Sequence, residues 1–343
     1  MTYKEEPNTP LTKEELTDII FDTTYAMDLN NEDNAKFYDF LKLKYISLFE
    51  GEEKYAYDDA VGPKNPYKYA SEIFSAGRKP VGKITVGAGF NMDRPEARAE
   101  WESIFGDELD FDKVYRGKKQ ITDDQILRLL KYSVDPREKE LAAEYGNTWS
   151  YLRPNEKIAI ISPYYNGPGL VNKKTKFFAN LKNYIDTGDP KYLQEATIEL
   201  GERSKKDPRL ISRRKLEAKL LDSTKSPFYV QPGDSIRFKG QIKVIQGKTR
   251  LPRDIEKHIP SVVNSEFVIW RTRLDEKVRN AHMRMEGKVY HRDYASQIKA
   301  KSPGCRCDLN DVPNNLLIMD DKNNITSFHS WIKYGGASTF VLK

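Results

Sequence analysis

Glu50 and Asp59 stand nine positions apart, separated by a glycine and a tyrosine-rich segment. Two carboxylates across a cleft are the minimum equipment for cleaving a glycosidic bond, one protonated to assist the leaving group and the other ionised to handle water. Glu50 ends an apolar-periodic run beside Phe49 and Tyr55, the setting of a proton donor, and Asp59 lies on a more polar segment. The chain holds 51 acidic residues, so spacing alone does not single this pair out. Asp58 is the alternative to Asp59, reached by a register slip of one. A second set, His282, His291, Cys305 and Cys307, offers imidazole and thiolate, which suit zinc. Cys-x-Cys crowds two ligands where a wider spacing is usual, so the expectation is small buried thiols and a helix-facing His, with no metal and no cofactor.

The elements that must position these residues are legible in part. Thr12-Lys13-Glu14-Glu15 is a capping box ahead of Leu16, Ile19 and Ile20, and the polar run Asn30–Asn34 closes that helix. Phe37, Leu41, Tyr45 and Leu48 predict a helix that stops at Glu50-Gly51, where Gly supplies the left-handed cap. Residues 55–91 read as strands and turns, among them Lys83–Gly89. Helical patterns then resume. Thr122–Gln125 is a second capping box between Ile121 and Ile126, and Asp189-Pro190 marks an N-cap followed by Pro at the first helical position. Residues 222–227 read as a linker, and the alternation from Ser235 to Val244 predicts strands beyond it.

With 343 residues the chain has room for two domains, and 20 Tyr, 15 Phe and 4 Trp supply their cores. Its 57 Lys and Arg against 51 Asp and Glu give a net charge of +6, too diffuse for a dedicated nucleic-acid reader, so no specific nucleic acid is expected as a partner. No window approaches the roughly 20 apolar residues of a membrane span, and the N-terminus lacks the apolar core of a signal peptide. Two cysteines fit a reducing cytoplasm.

Glu50-Gly51, Tyr57, Asp59 and Thr85-Val86-Gly87-Ala88-Gly89, in that order, resemble the phage lysozyme (endolysin) family, glycoside hydrolase family 24. The similarity continues through Ile121–Asp124, Leu152 with Ile158–Ile161, Asn166-Gly167 and Leu210 to Arg213-Arg214, and covers residues 36–222. The resemblance implies an α+β fold, a mostly helical lysozyme-like domain with a small β-region. It makes Glu50 the general acid, Asp59 the second carboxylate and Thr85 the residue that helps hold the attacking water. Tyr57 reads as a core residue in preference to a cleft wall. Three features depart from the family: an insertion over residues 63–83, Phe90 where the family places His, and Pro163 inside the central helix, which it is expected to kink.

Farther on, Trp270-Arg271-Thr272, Asp275, Val278-Arg279, His282, Gly287, Lys288–Tyr290 and Pro303–Cys307 resemble the phage Mu F-like head-morphogenesis (minor capsid) domain. That implies a smaller C-terminal α+β domain. The expected layout is an N-terminal helical extension (1–35), a lysozyme domain (36–222), a linker (223–240), the head-morphogenesis domain (241–312) and a tail (313–343) ending in a hairpin or docking segment. Arg271, Arg279 and Arg306 are expected to pair with Asp275 and Asp308. Together the resemblances imply a phage or prophage muramidase with bacterial peptidoglycan as substrate and capsid or portal proteins as partners of the C-terminal domain. It would reside in the virion or host cytoplasm and act on the wall in the periplasm. The rival readings are a structural head or internal virion protein with an inactive lysozyme fold, and an interbacterial toxin.

Overall fold

A computed structural model describes residues 9–24, 29–30, 32–187, 189–202, 208–221, 241–242, 267–272, 278–311, 317–319 and 325–327. They are mostly helical with small sheets, an α+β class. Asp275, the expected linker, most of the tail and the side chain of His291 lie outside the described residues. Among the described residues no helix is long and apolar enough to cross a membrane.

The chain divides into two compact units, one formed by Lys42–Leu141 and the other by Met1–Leu41 with Ala142–Lys343. The first capping box forms as its spacing predicts: Thr12 N–H donates to Glu15 Oε2 at 2.9 Å and Glu15 N–H to Thr12 Oγ1 at 3.1 Å, starting α1 (Lys13–Thr24). Helix α2 (Glu32–Glu50) leads into β1 (Glu53–Asp58), and a short helix α3 (Ala70–Ser75) precedes β2 (Ile84–Gly87) and β3 (Phe90–Asn91). The three strands make an antiparallel sheet in the order β1-β2-β3. Helices α4 (Ala97–Phe105) and α5 (Phe111–Tyr115) follow. Trp101 is buried among Phe90, Phe105 and Phe111, and its indole N–H donates to Leu109 O at 2.6 Å.

The second capping box, Thr122 with Gln125, opens α6 (Asp123–Tyr145). After α7 (Asn147–Tyr151), helix α8 (Pro154–Asn166) buries Ile158 through Tyr164. It continues through Pro163 to Asn166 as one helix. The donor that Pro163 lacks would have served Ala159 O near the helix end, where the cost is confined to the last turn. Helices α9 (Lys176–Thr187), α10 (Pro190–Glu202) and α11 (Pro208–Leu221) pack in sequence, and α11 packs on α8 and α1. Asp189 Oδ1 accepts from Lys191 N–H at 2.9 Å, the N-cap its Pro190 neighbour predicts.

Strand β4 (Gln241–Ile242) belongs to a sheet completed by the last two strands among the described residues, and β5 (Phe267–Arg271) to another. Helix α12 (Asn280–Met285), β6 (Val289–His291), helix α13 (Arg292–Lys301) and β7 (Asp308–Asp311) come next. Strands β6, β5 and β7 form an antiparallel sheet whose buried Val268 and Trp270 pack with Met285, Tyr290, Tyr294 and Ile298. Strands β8 (Leu317–Met319) and β9 (Ile325–Ser327) pair antiparallel, as a tail hairpin requires, and β8 pairs in parallel with β4.

Arg284 of α12 is buried and reaches back to the N-terminal segment. Its guanidinium donates to both Glu15 carboxylate oxygens, at 2.9 and 3.0 Å, and to the carbonyls of Thr9 and Pro10. The Arg284 hydrogen bond holds Glu15 down to about 2 from its ordinary 4.5. A carboxylate whose pKa is lowered by folding contributes stability that is complete above its unfolded value and fades as pH falls toward the folded one. Urea unfolding of Glu15→Gln should therefore show a less stable protein than wild type at pH 7, with the difference shrinking between about pH 4.5 and pH 2. A difference independent of pH would show that the ion pair is not its source.

Candidate active site

Glu50 is the last residue of α2 and is half-buried. The helix cannot run on, because Gly51 adopts φ +99°, a left-handed conformation that disfavours a side chain, while its N–H still donates to Ser47 O at 2.8 Å. Glu52 then folds back, accepting from Ser47 Oγ at 2.6 Å and Lys44 Nζ at 2.7 Å. This staple fixes the direction in which the chain leaves Glu50.

Asp58 and Asp59 have different surroundings, although they are adjacent. Asp58 is buried, and its carboxylate accepts three backbone N–H bonds: from Ala60 at 3.0 Å, Gly82 at 2.8 Å and Val81 at 2.5 Å. It closes the base of the 63–83 insertion. Asp59 is exposed and accepts a single backbone bond, from Lys83 N–H at 2.8 Å. Gly82 is required where the two ends of the insertion meet, since a Cβ there would fall 2.4 Å from Asp59 Oδ1 and 2.5 Å from Ala60 Cβ.

Thr85 lies opposite Tyr57 on one side and Asn91 on the other. Directly opposed residues share a sheet face. Tyr57, Thr85 and Asn91 thus form a polar row across all three strands. Thr85 is buried, its hydroxyl 3.5 Å from Lys83 O. Tyr57 is half-buried, with the Lys68 ammonium 5.4 Å from its ring centre. Burial raises the Tyr57 pKa most; Glu53, Asp59 and Glu50 raise it further, and Lys68 opposes them.

The insertion is a folded element. Lys68 pairs with Glu53, Asp58 N–H donates to Lys68 O at 2.9 Å, and Ala70 and Ile73 of α3 are buried. Arg78 stacks 3.9 Å from the Tyr67 ring centre. Phe90 takes part in the Trp101 cluster, with the Arg94 guanidinium 5.1 Å from its ring centre.

In the C-terminal segment the expected arginine partner Asp275 lies outside the described residues. Arg271 pairs with buried Glu286 at 3.3 Å, and Arg279 donates to Pro303 O at 2.9 Å. Compared with known proteins, the chain matches no family model, and no curated protein or solved structure is significantly similar to it.

The structure thus puts Thr85 on the small sheet, Asp59 in the turn just past the end of β1, and Glu50 at the helix end that leads into β1. Asn91 and Lys68 were not singled out by sequence. The three-residue connection Gly87–Gly89 was the available signal for Asn91, because it sets Asn91 opposite Thr85. Asp58 and Asp59 should separate cleanly by mutation. Asp58→Ala removes a buried carboxylate that three backbone amides share as acceptor and should cost about 1 to 3 kcal/mol of stability in urea unfolding. Asp59→Asn keeps an acceptor oxygen and should change stability by less than about 0.5 kcal/mol. Equal losses from both would contradict the different roles drawn for them.

Proposed function

We propose that this chain is a peptidoglycan hydrolase, a muramidase that cleaves the β-1,4 bond between N-acetylmuramic acid and N-acetylglucosamine. The observation that carries the reading is the position of Asp59 just past the end of β1 and of Thr85 on the paired strand β2, with Glu50 at the end of the helix that leads into β1 and the neighbouring Asp58 fully engaged by backbone amides. In this reaction Glu50 donates its proton to the glycosidic oxygen as the bond breaks. Asp59, ionised and exposed, accepts a proton from a water that attacks the anomeric carbon from the opposite face, and Thr85 orients that water. A water between the two acids requires a carboxyl separation of roughly 6.5 to 9.5 Å and inverts the anomeric centre.

The protein is, on this reading, encoded by a phage or prophage and carried in the virion, with its C-terminal part attached to capsid or portal proteins. A wall-cutting enzyme delivered with the particle meets peptidoglycan during entry. The second reading, a structural head or internal virion protein, draws on the 63–83 insertion, which is folded against β1 next to Asp59.

Digestion of purified peptidoglycan, with muropeptides read by mass spectrometry, tests the proposal. Wild type should release reducing muramic acid ends. Glu50→Gln and Asp59→Asn should each slow release by about 10²- to 10⁴-fold while remaining folded. A folded wild type that releases nothing would leave the structural reading in its place.

A further inference from the structure

His282, Cys305 and Cys307 come from two segments, α12 and the turn after α13, yet their ligand atoms all lie within 4.8 Å of one another. The two sulfurs are almost equidistant from a single nitrogen, with Cys305 Sγ 3.6 Å and Cys307 Sγ 3.5 Å from His282 Nδ1. An imidazole nitrogen has one lone pair and accepts one S–H well. Two sulfurs at the same distance are better explained by a common point between the three atoms. Zinc bound tetrahedrally, with Zn–S near 2.3 Å and Zn–N near 2.0 to 2.1 Å, sets each sulfur about 3.6 Å from the nitrogen.

The surroundings have the features such a site needs. His282 and Cys307 are buried, whereas Cys305 is partly exposed and gives access. The other imidazole nitrogen, Nε2, lies 3.3 Å from the Ser302 hydroxyl, a partner that holds the ring with Nδ1 toward the sulfurs. The Trp270 ring packs edge-on against His282, with centres 5.0 Å apart. Its indole N–H is buried with no hydrogen-bond partner among the described residues. A metal-bound thiolate would give that donor an acceptor.

We propose that His282 Nδ1, Cys305 Sγ and Cys307 Sγ bind one zinc ion, with a water in the fourth position. Binding displaces the two thiol protons to solvent, and no electron transfer is involved. The ion ties α12 to the Cys305–Cys307 segment and joins the two sides of the β5 core. The site is independent of the glycosidase reading, since none of its ligands belongs to that machinery.

The test is a titration of the full-length, reduced, metal-free protein with Co²⁺ alone, followed by optical absorption. One equivalent should produce a thiolate-to-cobalt charge-transfer band and the intense visible bands of tetrahedral cobalt, and Zn²⁺ should abolish both. Ser302→Ala, which keeps all three ligands, should weaken binding about 10- to 100-fold. Cys305→Ser with Cys307→Ser should remove the charge-transfer band. If that double variant does not fold, a rise in the thermal midpoint of wild type with Zn²⁺, reversed by chelator, provides the stability readout. Absence of a charge-transfer band in folded wild type, or binding unchanged in a folded double-cysteine variant, would overturn the proposal.

Discussion

The carboxylate of Asp58 is the constraint on which the local geometry of the candidate site depends. Three backbone N–H groups from both ends of a long excursion converge on it. A buried carboxylate without such partners would carry a large desolvation penalty, and the amides would each lose an acceptor. Together they satisfy one another. The 63–83 segment thereby leaves β1 and returns to β2 at a fixed point. Asp59, one residue beyond the clamp, is held at the strand end with its carboxylate in solvent contact, and Thr85 keeps its place opposite Tyr57. Asp93 does a related job on the other side of β2, accepting from Ile84 N–H at 2.7 Å and from the Tyr115 hydroxyl at 2.7 Å.

The other unit uses buried charge in the same manner. Glu217 of α11 is fully enclosed with Arg213 and Arg214, and Ser162 of α8 donates to it at 2.5 Å. Burial raises the Glu217 pKa, while the two guanidinium groups act in the opposite direction. Arg213 also donates to Ser162 O at 3.1 Å and Arg214 to Asn166 Oδ1 at 2.7 Å. Such a cluster is weak support for net stability, because desolvation offsets much of the attraction. Its consequence is register: α8 and α11 can pack in one arrangement that pairs every charge. The Arg213-Arg214 and Asn166-Gly167 positions, noted in sequence only as points of resemblance, meet at this cluster.

What was legible in the sequence was local. The two Thr-led capping boxes, the Asp189-Pro190 start and the Gly51 stop depend on residues within four positions of one another, and each forms where its pattern predicts. The clamp was not legible, because the partners of Asp58 lie 23 and 24 residues away and contribute only backbone. Nor was α3, which depends on burying Ala70 and Ile73 and not on a strong apolar period. For the thiols, spacing argued against a shared ligand set; the fold sets both within reach of a histidine more than 20 residues earlier.

The order of segments along the chain is also a poor guide to which of them depend on one another. Residues near the N-terminus and α12 are more than 260 positions apart, yet Glu15, Thr9 and Pro10 supply the acceptors that Arg284 requires. A buried guanidinium deprived of those acceptors would keep its desolvation cost and lose its compensation. Removing the N-terminal extension would consequently act on the C-terminal segment through Arg284 as well as on α11, where Lys219 pairs with Asp18 of α1. Loss of an activity in a truncated chain would not by itself locate that activity in the missing residues. Point substitutions elsewhere in the extension, which leave Glu15 and Arg284 in place, separate the two effects, because the buried guanidinium keeps its acceptors.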